Sequence, residues 1–510
     1  MLFRSKEDNF NFEIPKEFNL SKDCIERWKN HKKISKKIAI FEVNNNCEVK
    51  KINYSQMSKR ISEYAKYLIN QNIEKGDRVL IRLDNSINFI ISFLAIVRIG
   101  AIAIPSSILL KPNELDFIIN NSQPKAVITE SLISFFKKKG MTLLSLKCTK
   151  ADSHINSDIL TLSDDPCYIT YTSGTTGKPK GVLHAHRSIL GREPSTRYWL
   201  NLKKNDVVFN PGKLNWTYTL GAGCLDCLRF GSSVVIYSGQ HNVQNYIKII
   251  ERLKVTMFLS VPGVYRQMLR EIEANKKNIK KLNSVNKYLS AGEHLKKEII
   301  LSWKDKTNKF IYEGLGMSEI SYFISNRPNK KLKPGSCGKI QPGHFGYLVD
   351  KNYKKVKNYQ GELAIKRDDP GLMLAYWNDK PSTNKKFKKN LFLTGDIFEI
   401  DKEGYLWFIS RKDELINVSG FRVSPKEVED VVDSLEEVKE SALCIKRIDN
   451  LKEITVLKVN LNVKASKRIL KKINTKIDNN LADYKKPKEL VLVNKIAKTA
   501  NGKIIRLIKS

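Results

Sequence analysis

Tyr168-Ile-Thr-Tyr-Thr-Ser-Gly-Thr-Thr-Gly-Lys-Pro-Lys-Gly-Val182 reads as an apolar strand that delivers the chain into a loop of three hydroxyl residues, three glycines and two lysines. Glycines let backbone N–H groups turn inward, Ser173, Thr175 and Thr176 add donors, and Lys178 and Lys180 add positive charge. Such a set suits polyphosphate oxygens. It is not a Walker A loop: the G-x-x-x-x-G-K-[ST] spacing fails, and Pro179 follows the lysine.

Outward from this loop, helix and strand alternate. Tyr54 to Ile73 carries Met57, Ile61, Ala65, Leu68 and Ile69 on one helical face. Strands follow at Arg78 to Leu83, Ala101 to Pro105 and Ala126 to Thr129, with helices ending near Arg98 and starting near Pro112 between them. The alternation resumes with strands at Val234 to Tyr237, Thr256 to Val261 and Lys287 to Ser290. This pattern predicts an α/β fold with a large N-terminal domain of mostly parallel sheets covered by helices. After about residue 390 the texture changes. A hairpin (Leu391 to Ile400, Tyr405 to Ser410) precedes a capping box at Ser424-Pro-Lys-Glu427, then strands at 440–447 and 454–461 and a basic helix at 465–481. A small α+β C-terminal domain is expected from residue 411 to 510, with residues 1–410 forming the larger one.

The chain has 510 residues, 41% of them hydrophobic, enough for large cores and incompatible with a wholly disordered or collagen-like polymer. Ninety Lys+Arg against 53 Asp+Glu give +37, spread along the chain, which reads as a basic solvated surface suited to polyanionic small substrates. Nucleic acid is not expected as a ligand, since no arginine-rich arm or zinc-finger spacing accompanies the charge. The N-terminus lacks the apolar core of a signal peptide, and the run from Phe89 to Pro105 is interrupted by Arg98 and Gly100, so a buried helix leading into a strand is expected, with no integral membrane association. Eight scattered cysteines fit a reduced thiol set in a cytoplasmic protein, and Cys224 and Cys227 read as packing.

YTSGTTGKPKGV resembles the phosphate loop of the AMP-forming adenylating superfamily, which includes acyl-CoA synthetases, luciferases and peptide-synthetase adenylation domains. The resemblance continues in order through Gly76-Asp-Arg-Val79, Ala291-Gly-Glu293, Gly314-Leu-Gly-Met-Ser-Glu319, Leu393-Thr-Gly-Asp396, Arg411-Lys-Asp413, Gly420-Phe-Arg-Val-Ser-Pro-Lys-Glu-Val-Glu429 and Thr499-Ala-Asn-Gly-Lys503. Within the superfamily, KLNWTYTLGAG, SNRPNKKLKPGSCGKIQPG and DDPGLMLAYW look most like benzoate-CoA ligase and related carboxylate-CoA ligases.

The resemblance implies ATP and CoA as co-substrates and Mg²⁺ as the metal. It places the β- and γ-phosphates on Ser173, Gly174, Thr175, Thr176, Gly177 and Lys180, with Ser318 keeping a hydroxyl beside the nucleotide. It implies that Glu319 ligates Mg²⁺, that Asp396 receives the ribose hydroxyls with Arg411 nearby, and that Lys503 bridges the substrate carboxylate and the α-phosphate. Thr176, Glu319 and Lys503 are thus the catalytic candidates. Asp413 falls at the family's hinge, about which the small domain turns; Gly420 would then border the pantetheine channel, with Arg422 a phosphate partner. Trp216, Tyr218, Gly221, Gly314 and Gly316 are pocket candidates, together with Thr217. Gly316 stands where acetyl-CoA synthetases carry a pocket-shortening tryptophan, so an acid larger than acetate is expected, aromatic or short-to-medium chain. Leu315 departs from the usual adenine-stacking aromatic, Ser318 replaces threonine, and Ala497 replaces a proline. His184 and His186 are expected on a helix after the loop, in packing or solvent roles. The small-molecule partners are therefore a carboxylic acid, ATP and CoA, and oligomeric state is left open, with a homodimer among the alternatives. Two other functions compete. Loading a carrier protein is disfavoured by the lack of an aspartate in Leu214 to Ala222, and a non-catalytic polyanion binder by the retention of Glu319, Asp396 and Lys503 together.

Overall fold

Arg78–Arg82 is the hub of the first sheet. The chain enters it from Gly76, whose φ of +87° is a conformation that residues with a Cβ rarely adopt. It pairs in parallel with Ile102–Pro105 on one side and Ala126–Thr129 on the other. Thr142–Leu144 extends the sheet at one margin; Pro166–Thr172, Lys180–Ala185 and Ala375–Tyr376 complete seven strands at the other. Covered on both faces, the central strands read as unbroken apolar runs rather than alternating ones. The computed structural model describes residues 10–147, 156–172, 179–350, 352–356, 360–411, 416–418, 421–423, 425–448, 453–497, 504 and 506–508, with only the backbone described at 409–411, 417–418, 421–422, 426 and 507–508.

The covering helices are set by their caps. Tyr54–Asn70 starts in a capping box between Asn53 and Gln56. Ile87–Arg98 is capped by Ser86, and all its residues except Asn88 are buried. Its hydrophobicity therefore belongs to the core, and among the described residues no helix is long and apolar enough to cross a membrane.

The second sheet has nine strands. Ile38–Val43, Ser233–Tyr237, Val207–Phe209, Met257–Ser260, Lys287–Ser290 and Ile311–Met317 run parallel, and Val49–Asn53, Ser321–Ser325 and Lys339–Ile340 add antiparallel margins. A third, antiparallel sheet is built from Gly346–Val349, Gln360–Lys366, Leu391–Ile400, Phe387–Lys388 and Leu406–Arg411. Helix-covered parallel sheets dominate, as the sequence predicts.

Contacts along the chain separate two compact units. One spans Met1–Ile108, Ser122–Thr170 and Gly181–Ser410; the other spans Leu109–Asn121, Tyr171–Lys180 and Arg411–Ser510. The second contains a four-stranded sheet (Glu489–Leu492, Glu453–Leu461, Val438–Arg447, Leu507–Ile508) backed by the helices Pro425–Asp433 and Lys467–Asn480. Within it Lys485 is buried between Glu427, 2.6 Å away, and Glu114, 3.0 Å away.

Candidate active site

Glu319 sits in the turn that joins Ile311–Met317 to Ser321–Ser325. A register shift between Leu315 and Gly316 tightens this hairpin, and Ser321 closes it with φ +71°. The Glu319 side chain is 8% exposed, and the Tyr376 hydroxyl donates to its Oε1 at 2.6 Å. Its own carbonyl accepts the Met373 N–H at 2.7 Å, so the turn is tied to the neighbouring loop through backbone as well as side chain.

Asp396 lies in a second irregularity. The ladder between Gln360–Lys366 and Leu391–Ile400 slips between Glu362 and Ala364, opposite Gly395, whose φ is +80°. Thr394 fixes the bend: its hydroxyl donates to the Leu363 carbonyl at 2.8 Å and accepts the Asp396 N–H at 3.1 Å. Asp396 is thereby held as a buried carboxylate-bearing position in a kinked strand. Lys180 opens the strand Lys180–Ala185.

Tyr168, Arg192, Gly221, Ser318 and Gly371 border a small cavity of about 10 Å³, room for one water-sized group. His184 also lines it, from Lys180–Ala185 rather than from the expected helix, and its ring stacks on Tyr168 at 4.8 Å. His184 Nε2–H donates to the Ser318 carbonyl at 2.7 Å. Burial pushes its pKa down to about 4, so it is neutral near pH 7. His186 is buried as well, and its Nδ1 accepts the Leu20 N–H at 3.1 Å. Behind the cavity, Arg192 and Asp226 form a buried ion pair at 2.8 Å. Burial alone would lower the Arg192 pKa; the charge of Asp226 outweighs it and keeps the guanidinium ionised.

The pocket candidates divide. Gly221, in the π-helical stretch Tyr218–Leu225, faces the cavity, where a Cβ would lie an ordinary 3.6 Å from Arg192. Gly314 and Gly316 are closely packed. A Cβ on Gly314 would fall 2.4 Å from the Trp199 indole, and one on Gly316 would fall 2.1 Å from the Ser321 carbonyl oxygen. Hairpin packing alone requires glycine at 316. Tyr218 packs with Trp199 and Tyr322 in an aromatic cluster, and Trp216 accepts the Leu220 N–H on its carbonyl at 2.8 Å. Ser173, Gly174, Thr175, Thr176, Gly177, Asp413, Gly420 and Lys503 lie outside the described residues; Arg411 and Arg422 fall in the strands Leu406–Arg411 and Phe421–Val423.

His294, Glu313 and Cys337 form the one group of three metal-capable side chains within reach of one another among the described residues. The His294 ring lies 3.1 Å from the Glu313 carboxylate. Burial opposes protonation of His294, but Glu313 raises its pKa beyond that penalty, as an ordinary ion pair would. Cys224 and Cys227 are buried and unpaired, as expected for packing.

A buried carboxylate at a hairpin turn, in a fold of this kind, in a chain whose sequence at 173–180 is rich in Gly, Ser, Thr and Lys, is what a nucleotide-dependent ligase requires. The chain belongs to the AMP-binding enzyme family, whose model matches residues 26–377, with the family's C-terminal domain at 427–503. It is similar to the rat mitochondrial acyl-coenzyme A synthetase ACSM3 (27% identical, covering 99% of this chain and 92% of the relative). A 3-hydroxybenzoate–CoA ligase from Aromatoleum sp. (strain CIB) is 26% identical over 89% of this chain and 90% of its own length. Among solved structures, the anthranilate–CoA ligase AuaEII in complex with anthranoyl-AMP matches with a TM-score of 0.71 at 27% identity over 96% of both chains. A Bacillus subtilis o-succinylbenzoate–CoA synthetase shares the fold, with a TM-score of 0.83 at 21% identity over 96% of this chain and 98% of that one. The chain is thus an AMP-forming carboxylate–CoA ligase that proceeds through an acyl-adenylate, with ATP and CoA as co-substrates.

Proposed function

We propose that the acid is aromatic or a short-to-medium acyl chain, and that it lies between the Thr217–Gly221 stretch and the Ser318 turn. A carboxylate acylates poorly because its oxygen leaves badly; attack on the ATP α-phosphate makes AMP the leaving group, which the CoA thiol then displaces. The first step gathers anions, so positioning and charge compensation carry most of the acceleration. On this reading Ser173, Gly174, Thr175, Thr176, Gly177 and Lys180 hold the β- and γ-phosphates, Lys503 neutralises charge between the acid and the α-phosphate, and Asp396 receives the ribose hydroxyls with Arg411 beside it. Glu319 offers the hard oxygen that Mg²⁺ prefers, next to the Ser318 hydroxyl, and the ion would offset phosphate charge. The observation that carries the reading is Glu319 itself: a buried carboxylate fixed by Tyr376 at a hairpin turn that also borders the cavity.

Residues 411–510 act as the smaller domain, turning about Asp413 so that Gly420 and Arg422 meet CoA after Lys503 withdraws. The seven free cysteines among the described residues favour a reducing compartment such as the cytoplasm. Lys503→Ala tests the roles: acid-dependent pyrophosphate release should fall at least about 10²–10³-fold, and near-normal release would remove Lys503 from the mechanism. Asp413→Pro should slow thioester formation while leaving adenylation largely intact, and equal loss of both steps would make Asp413 structural.

A further inference from the structure

Three residues that line the cavity carry a buried side-chain atom without a partner: Arg192, His184 and Ser188, the last through its hydroxyl. Arg192, 3% exposed, uses Nε on Asp226 at 2.8 Å and reaches the Tyr168 hydroxyl with Nη1 at 3.5 Å, which leaves Nη2 unpaired. His184, 2% exposed, commits its Nε2–H to the Ser318 carbonyl, so Nδ1 carries a lone pair, and that atom too is unpaired. Buried donors and acceptors without partners are rare and costly. Here the residues that carry them, a guanidinium donor, an imidazole acceptor and a hydroxyl able to do either, line the same water-sized space as Ser318 and Gly221.

We propose that this space receives a hydroxyl group of the acid, which accepts from Arg192 Nη2 and donates to His184 Nδ1, and that the enzyme selects hydroxylated acids. The proposal rests on the acid's position given above. A hydroxyl is the smallest neutral group that both accepts and donates. A second carboxylate fits less well, because Asp226 already neutralises Arg192 and the added charge would be buried unpaired. An arylamine donates but accepts poorly, which leaves the guanidinium unserved.

The test is kcat/KM for AMP formation on matched acids with the full-length enzyme, ATP, Mg²⁺ and CoA: benzoate against 2-, 3- and 4-hydroxybenzoate, and butyrate against 3- and 4-hydroxybutyrate, with 3-aminobenzoate and isophthalate as rivals. One hydroxylated acid should exceed its parent by at least about tenfold, the scale on which a site with polar groups rejects a ligand that leaves them unpaired. Arg192→Met combined with Asp226→Leu removes both charges and should bring that ratio within about twofold, while thermal unfolding reports whether the fold is kept. Arg192→Lys, which retains the charge and one donor, should give an intermediate ratio if the double variant does not fold. Ratios within twofold in every wild-type pair, or a ratio that survives the double variant, would overturn the proposal and leave the pair as a structural tie serving a bound water. Preference for the amine or the diacid would also overturn it. Silence with every acid, parents included, would overturn the acid reading as well, an outcome distinct from equal rates.

Discussion

The hairpin that carries Glu319 and the π-helical stretch that lines the cavity use glycine for opposite reasons. On the hairpin side, Gly314 and Gly316 have no side chain because Trp199 and the Ser321 backbone occupy the space. On the π-helical side, Gly221 has no side chain and the volume stays partly open toward Arg192. On the first side the glycine is required by packing and on the second it leaves room, although the residue type is the same.

The hardest way to break this contrast is Gly316→Ala. Its Cβ would meet backbone, which cannot rotate aside, so a loss of about 3 kcal/mol or more is expected, above the usual overpacking range, together with reduced adenylation through the displaced Glu319 turn. Chemical denaturation of the variant checks it; wild-type stability would refute the packing account. Gly314→Ala meets an indole that can shift, and about 1–3 kcal/mol is expected by the same assay.

A pH titration sharpens the other side. His184 and His186 both have pKa values pushed down to about 4 by burial, against an ordinary value near 6.5. The unfolded chain therefore binds more protons between those values, and stability present above pH 6.5 is lost as pH falls toward 4. At pH 5.5 each histidine should cost about 1 kcal/mol relative to pH 7.5, and substitution of either by Gln should flatten the curve. A stability profile level from pH 7.5 to 5 would contradict their burial as neutral rings. The smallest stability effect belongs to Gly221→Ala: less than about 1 kcal/mol, since its Cβ finds ordinary contact distance, but with a shift in preference toward smaller acids. Large destabilisation there would erase the distinction between the two sides.

What could be read from the chain follows the same divide. Periodicity located the helices Tyr54–Asn70 and Ile87–Arg98 and the strand Lys287–Ser290, because apolar residues at fixed spacing have one good burial solution. It missed Ile311–Met317 and Lys180–Ala185 as strands, since glycines and histidines conceal a strand whose regularity comes from its neighbours. Motif order named Glu319 and Asp396, whose buried turn and kinked strand suit fixed carboxylates. The close packing around Gly316 was not legible, because the absence of a side chain looks alike whether the space is empty or filled. Arg192 and Asp226 lay outside every motif, and a charge inside each of the apolar stretches around Leu190 and Leu225 was the available signal; Tyr376 stood within DDPGLMLAYW without a role assigned to it.

The most direct measurement is acid-dependent AMP formation with ATP, Mg²⁺ and CoA across aliphatic and aromatic acids, with pyrophosphate followed in parallel and CoA omitted in one arm. The account predicts pyrophosphate release that requires acid and Mg²⁺, an acyl-adenylate that accumulates without CoA, and its discharge to the thioester and AMP when CoA is added. Pyrophosphate release independent of acid, or an adenylate that CoA leaves untouched, would contradict it.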